Sequence, residues 1–415
     1  MPLFCCVNRV GCGIIGKRLS KGCVLMNYYE RALDLQEETV AHRRWLHAHA
    51  EAGVDLPLAR DYVLEQLTAL GLNPQVCGHG VTATVGQGEK CILLRADMDA
   101  LPMEEDSGEP FASTNGCAHT CGHDLHAAML LTAAKMLKEN EGDLPGTVKL
   151  MFQPGEEVFE GAKDMIAAGI LENPRVDAAL AFHVAAGRMP LGMYMYNSTG
   201  TMMASVDGFR IEIQGKGAHG AYPHSSIDPV NIGVHIYLAL EALIAREADP
   251  NKMCVLTVGK FQAGTAANII PDTAILEGTL RTNDKENRDL LVRRIQETAE
   301  GAAATYGGSA KVTSLYSVAP LVCDPQMTEE MAGYMQQMNV PGSRPWQGIF
   351  ASASEDFAAI TEAVPGVFMH LSAGFTDERG TYPPHNPKVR FNEDVCPIGA
   401  AAYAHCATQW LKNHT

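Results

Sequence analysis

The sequence predicts an α/β fold in which a mixed sheet flanked by helices is interrupted by a smaller α+β domain. Three observations carry this. Strand-like runs that read as buried, the continuously apolar 91–95 and then 146–152, alternate with helix-periodic stretches, as strands buried on both faces require. Carboxylates or histidines follow each such strand, so the chemistry-bearing residues gather at one end of a sheet. Between residues 206 and 316 the order becomes β-α-β-β-α-β, the split βαβ sandwich, a complete small domain of its own.

Bulk properties narrow the classes. A chain of 415 residues divides comfortably into two domains. A net charge of −16 and a pI near 5.4 leave no basic stripe for phosphates, so nucleic acid is not an expected partner. No apolar run reaches spanning length, so a membrane is not expected either. Twelve cysteines at irregular spacings fit reduced thiols in a cytoplasmic protein better than a disulfide framework. Residues 1–25 hold Cys5, Cys6, Cys12 and Cys23 with four basic residues and no acid, and are expected to be a disordered extension rather than a signal peptide.

Taken in order, residues 28–46 place Leu33, Leu35, Val40 and Leu46 at helical spacing, an amphipathic surface helix. A second helix, 58–70, stops at Gly71. Strands follow at 80–85 and 91–95, the latter running into Ala96-Asp97-Met98-Asp99. Cys117-Ala-His-Thr-Cys121-Gly-His123-Asp124-Leu-His126 then precedes an apolar run of good helix formers, so this ligand-rich cluster sits at a helix start. Strand 146–152 delivers Gln153-Pro-Gly-Glu156-Glu157, a helix covers 161–168, and strand 178–182 ends in His183. Adjacent glutamates on a strand-to-helix turn can face different ways, one as metal ligand and one as general base.

The inserted domain, 205–317, comprises strand 206–214, helix 228–245, strands 254–261 and 274–282, helix 285–306 and strand 310–316. The chain then returns to the first domain, 26–204 plus 318–415, with Glu355-Asp356, strand 366–371, His385 among prolines, and a closing helix over 395–411. His47, His49, His119, His126 and His224 read as supporting groups, while His235, His370, His405 and His414 read as ordinary core or surface histidines. Asp324, Glu297 and Glu300 read as solvated faces, and Glu355 and Asp356 as support around the site.

Nine motifs in order carry a resemblance: Arg-Ala-Asp97-Met-Asp99, Cys121-Gly-His123-Asp, Gln-Pro-Gly-Glu156-Glu157, Phe-His183, Gly-Lys-Gly-Ala-His219, Asn268-Ile-Ile-Pro, Gly-Thr-Leu-Arg281, Ser-Glu355-Asp356-Phe and His385-Asn-Pro. From Met26 to Leu411 the chain resembles the amidohydrolase branch of the dinuclear metallo-aminoacylase and carboxypeptidase family, which contains hippurate hydrolases, N-acyl-amino-acid deacylases and auxin-conjugate hydrolases. The resemblance implies a zinc-peptidase-like catalytic domain with a ferredoxin-like lid that also forms a homodimer contact. It implies two divalent metal ions, zinc or manganese first and cobalt or nickel next, held by Cys121, His123, Glu157, His183 and His385. Glu156 matches the catalytic glutamate and Asp99 an aspartate that orients a ligand histidine. Asp97 stands where other branches carry that histidine. His219, Asn268 and Arg281 match positions that handle substrate, His219 acting on the partner chain's site. The implied substrate is a small N-acyl amino acid; dipeptides, or an N-acetylated biosynthetic intermediate, are the alternatives, and a non-catalytic metal-dependent binder is the rival from another class.

Overall fold

A computed structural model describes residues 26–415. The expectation for residues 1–25 lies outside them. The larger body is built on an eight-stranded mixed sheet, ordered Gln75–Cys77, Gly80–Val85, Thr147–Gln153, Cys91–Asp97, Ala178–Ala185, Gly366–Ser372, Tyr194–Tyr196 and Pro345–Gln347. Its four central strands, Thr147–Gln153 through Gly366–Ser372, run parallel. They are buried almost throughout, which explains their near-continuous apolar sequences.

Side-chain alternation divides the core into two layers. Ile92, Leu94 and Ala96 face the helices His123–Glu139 and Cys396–His414, while Cys91 and Leu93 face Met165, Ile360 and Phe368 on the other side. The His123–Glu139 helix is apolar nearly all round because it is enclosed nearly all round. Arg95 breaks the apolar run of its strand, and it is fully buried.

The inserted unit is a four-stranded antiparallel sheet ordered Cys254–Ala263, Thr273–Thr282, Val206–Gln214, Ser309–Val318. Helices Pro229–Arg246 and Lys285–Thr305 bury Ile232, Ile236, Leu291 and Ile295 against Phe209, Ile211 and Leu276. Asp228 and Asp284 cap those helices by accepting main-chain N–H bonds. A separate two-stranded piece pairs Ala218–His219 with Ile269–Ile270.

Several expectations need correction. The single helix over 28–46 is two, Tyr28–Asp34 and Gln36–Ala48, divided at Leu35, whose ψ of 5° leaves the helical range. Asp324 is not on a solvated face: it caps the unanticipated helix Pro325–Gln337 by accepting from Met327 N. His370, read as ordinary, lies opposite His183 in the parallel register and lines the cavity over the ligand cluster.

Candidate active site

The parallel strands bring the ligand-bearing turns together. Asp97 and Gln153 are register partners at the ends of neighbouring strands, and Met98 N bonds back to Gln153 O. Two glycines shape the turns beyond these strand ends. Gly155 takes φ +65°, a left-handed turn that glycine adopts without strain, immediately before Glu156 and Glu157. Gly122 (φ +88°) starts the His123–Glu139 helix, and a Cβ there would lie 2.4 Å from Val184 Cγ2. Cys121 and His123 can therefore flank a helix start packed directly against the His183 strand.

All five residues expected as ligands converge. Cys121 Sγ lies 3.4 Å from His183 Nε2 and 3.3 Å from His385 Nε2, and His385 Nε2 lies 3.2 Å from Glu157 Oε1. Donor atoms of Cys121, His123 and His183 fall within 4.8 Å of one another, as do those of Cys121, Glu157 and His385. Cys121 belongs to both groups. His183 Nδ1 donates to Val184 O at 2.7 Å, which leaves its Nε2 lone pair facing the thiol. His123 is fully buried, yet Nδ1 is 3.4 Å from Asp99 Oδ1 and Nε2 is 3.8 Å from Asp97 Oδ2, and neither nitrogen makes a hydrogen bond. Buried polar atoms without partners are costly, and a mixed thiol, imidazole and carboxylate set is what a divalent transition metal accepts, so the residues fit such an ion. Without one, burial pushes the Cys121 thiol up to about 12. His385 holds an uncommon φ of +64° for a residue with a side chain, fixed by its N–H bond to Thr120 O.

Glu156 sits beside this cluster. Burial, reinforced by Glu355, Asp356 and Glu157, holds its carboxyl well above the usual range. Glu355 is pushed up to about 8 and Asp356 to about 6, in both cases by burial that Arg95 only partly offsets. Arg95 reaches Glu355 at 2.8 Å, Asp356 at 3.1 Å and Asp97 at 2.7 Å, while Gln153 Nε2 donates to Asp356 at 2.7 Å. Asp356 also accepts from Ala162 N, and Asp99 accepts from Glu157 N at 3.0 Å, so the glutamate turn is held at both ends. Behind His123, buried Asp124 accepts from Arg43 and pairs with His47, each at 2.8 Å. Against the pull of burial, Asp124 and Glu105 lift the His47 imidazole to about 9.

A cavity of about 430 Å³ opens over the cluster, lined among others by Cys121, Glu156, His183, His370, Phe159 and Arg281. Arg281, from the inserted sheet, is held at the rim by Ser352 O (3.0 Å) and Ser354 Oγ (3.3 Å). His219 and Asn268 are not in this lining; both are exposed and adjoin each other on the two-stranded piece, where Gly220 N bonds to Asn268 O. Sequence reasoning missed Arg95 as the cation of the buried network and His370 as a wall residue. A strand ending near a histidine was the available signal for His370, the same one that marked His183.

The chain is similar to known proteins over most of its length. The sequence profile of Peptidase family M20/M25/M40 matches residues 93–409. N-acetyl-L-cysteine deacetylase of Bacillus subtilis is 36% identical over 370 residues, covering 86% of this chain and 85% of its own. Thermostable carboxypeptidase 2 of Saccharolobus solfataricus is 34% identical over 388 residues, covering 91% and 96%. The crystal structure of the Bacillus subtilis YXEP protein, described as a dinuclear metal-binding peptidase of the M20 family, superposes with a TM-score of 0.77 at 29% identity, covering 92% of this chain and 99% of that one. No helix among the described residues is long and apolar enough to cross a membrane. The chain therefore belongs to peptidase family M20/M25/M40, and it is a metal-dependent amidohydrolase.

Proposed function

We propose that the chain hydrolyses the amide bond of N-acyl-L-amino acids, releasing a carboxylate and a free amino acid. The observation that carries this reading is a buried glutamate, Glu156, beside a thiol, imidazole and carboxylate cluster on the wall of one cavity. In it Cys121, His123, Glu157, His183 and His385 hold two divalent metal ions, zinc or manganese, with cobalt or nickel compatible with the same donors. Bound there, such ions lower the pKa of water towards ~7 and polarise the scissile carbonyl.

Glu156 takes the proton of the attacking water and returns it to the leaving nitrogen, so the proton departs with the amino acid. Asp99 fixes the main chain of Glu157 and orients His123. Arg281 takes the carboxylate of the amino-acid half, for which its planar fork is suited, with Asn268 assisting. His219 stabilises charge developing on the carbonyl oxygen. His219 and Asn268 lie away from the cavity of their own chain, so both reach a site from a second copy in a homodimer through the inserted unit. The Pro229–Arg246 helix supports that, since it exposes Val230, Val234 and Leu238 along one side. A cytoplasmic location suits the eight described cysteines, all free thiols.

Likeness to thermostable carboxypeptidase 2 favours a second reading, cleavage of dipeptides on the same scaffold, and likeness to N-acetyl-L-cysteine deacetylase favours deacetylation of an N-acetylated intermediate. A hydrolysis screen over acetyl, benzoyl and long-chain acyl amino acids and dipeptides, before and after chelation, separates these. Glu156→Gln is expected to keep its metal while turnover falls ~10²–10⁴-fold or more. A fully active Glu156→Gln enzyme overturns the assignment of the base, and no turnover of any amide at full metal occupancy points instead to a binding protein.

A further inference from the structure

Asp97 and His126 are fully buried, and the reaction as derived gives neither any work. Their hydrogen bonds run to the main chain of Val184, the residue after His183. Val184 N lies 2.8 Å from His126 Nε2. A peptide N–H only donates, so Nε2 carries the lone pair and the His126 proton sits on Nδ1. That proton points at Asp97 Oδ1, 2.5 Å away. The carbonyl of the same Val184 accepts from His183 Nδ1 at 2.7 Å, which leaves His183 Nε2 bare and 3.4 Å from Cys121 Sγ.

Sheet topology explains why side chains take these main-chain groups. The ladder from Ala178–Ala185 to the Cys91–Asp97 strand ends where Ala181 faces Arg95. Past that point the His183 strand has lost this neighbour, and His126 reaches into the gap from the buried face of the His123–Glu139 helix. Asp97 is itself anchored by Arg95 at 2.7 Å, so the chain of contacts starts from a fixed charge.

We propose that Asp97 and His126 are positioning residues that set the ring and tautomer of His183 through the main chain of Val184, and so tune the affinity of the ion that His183 holds. The inference rests on the reading of His183 as a metal ligand. Partners of this kind behind a ligand imidazole are worth about 10–100-fold in affinity.

A double-mutant cycle tests it. Cobalt(II) affinity is measured on the full chain by competition with a chromophoric chelator, for the wild type, His126→Asn, His183→Ala and the double variant. His126→Asn is expected to weaken one ion ~10–100-fold and to shift the visible cobalt absorption, and to cost nothing further in the His183→Ala background. An equal loss in both backgrounds overturns the relay. If His183→Ala binds both ions as tightly as the wild type, the ligand assignment itself has failed, a result distinct from additivity. A measurement on the unaltered chain stands whether or not His126→Asn folds: nitrogen chemical shifts of ¹⁵N-labelled histidines should show His126 and His183 both protonated at Nδ1, and the opposite tautomer at either ring overturns the proposal.

Discussion

The large sheet and the inserted sheet handle charge in opposite ways. In the large sheet four parallel strands are buried on both faces, and Arg95 lies fully buried among Asp97, Glu355 and Asp356. In the inserted unit half-buried and exposed residues alternate along Cys254–Ala263 and buried and half-buried ones along Thr273–Thr282, and pairs between its helices, such as Arg294 with Glu247, lie at the surface. A buried charge that loses its partner cannot recruit water, whereas an exposed one can. Arg95→Met should therefore cost about 3–5 kcal/mol, because it strands the carboxylates that surround it. Arg294→Gln should leave the urea midpoint where it was. Equal shifts for the two variants would remove the distinction between the sheets.

Backbone geometry sharpens the same contrast. Gly122 must adopt φ +88° with Val184 and Phe391 against its face, so Gly122→Ala meets both conformational strain and a clash. The strain alone is worth ~1–3 kcal/mol, and the displaced Val184 carries His183 with it. Reduced metal retention on gel filtration, together with a lowered melting temperature, is the expected result; a variant that keeps its metal would show that the turn can relax.

Much of this division is legible in the sequence alone. The body's strands announce themselves as near-continuous apolar runs, and the inserted ones as alternation in the order of a split βαβ sandwich. Strand ends and a helix start mark where Cys121, His123, Glu157 and His183 lie, but the choice of these with His385 as expected ligands comes from the family resemblance rather than from position. Less legible is whatever depends on register. Arg95 closes an apolar run and reads as its end, but the strand continues to Asp97, and only the pairing with Thr147–Gln153 puts Gln153 beside it. Leu35 fits the apolar periodicity of residues 28–46, so the helix break there leaves no mark in the pattern. Asp324-Pro325 did carry a signal, a capping residue followed by proline at the first helical position, and it pointed to the helix beginning there.

A smaller effect separates half-buried from exposed pairs. Burial works against ionising Glu393, but its bonds to Arg44 and Arg43 hold it below the ordinary carboxylate range. A lowered folded value means that its contribution is complete above the unfolded pKa, near 4.3 for glutamate, and is lost as pH falls through the folded value. Glu393→Gln should cost ~1–2 kcal/mol at pH 7, with the difference from wild type shrinking below about pH 4. Glu247→Gln, at an exposed pair, should differ from wild type only at low salt, since screening removes such interactions first. A Glu393 effect abolished by salt would place it with the surface pairs.

The smallest expected effect has the opposite sign. Gly301 lies within the Lys285–Thr305 helix of the inserted unit, exposed and with nothing within 4 Å of where a Cβ would stand. Alanine there meets no clash and gives up less backbone entropy on folding, so Gly301→Ala should stabilise by about 0.5–1 kcal/mol. Hydrolysis should be unchanged, because the residue touches neither the cavity nor the strands that carry it. Gly301 and Gly122 are the same residue type in or beside helices of similar length, and the opposite outcomes arise from what surrounds each: water around one, the His183 strand against the other. Should Gly301→Ala destabilise the chain, the face it occupies is covered in solution, and the inserted unit meets a partner there.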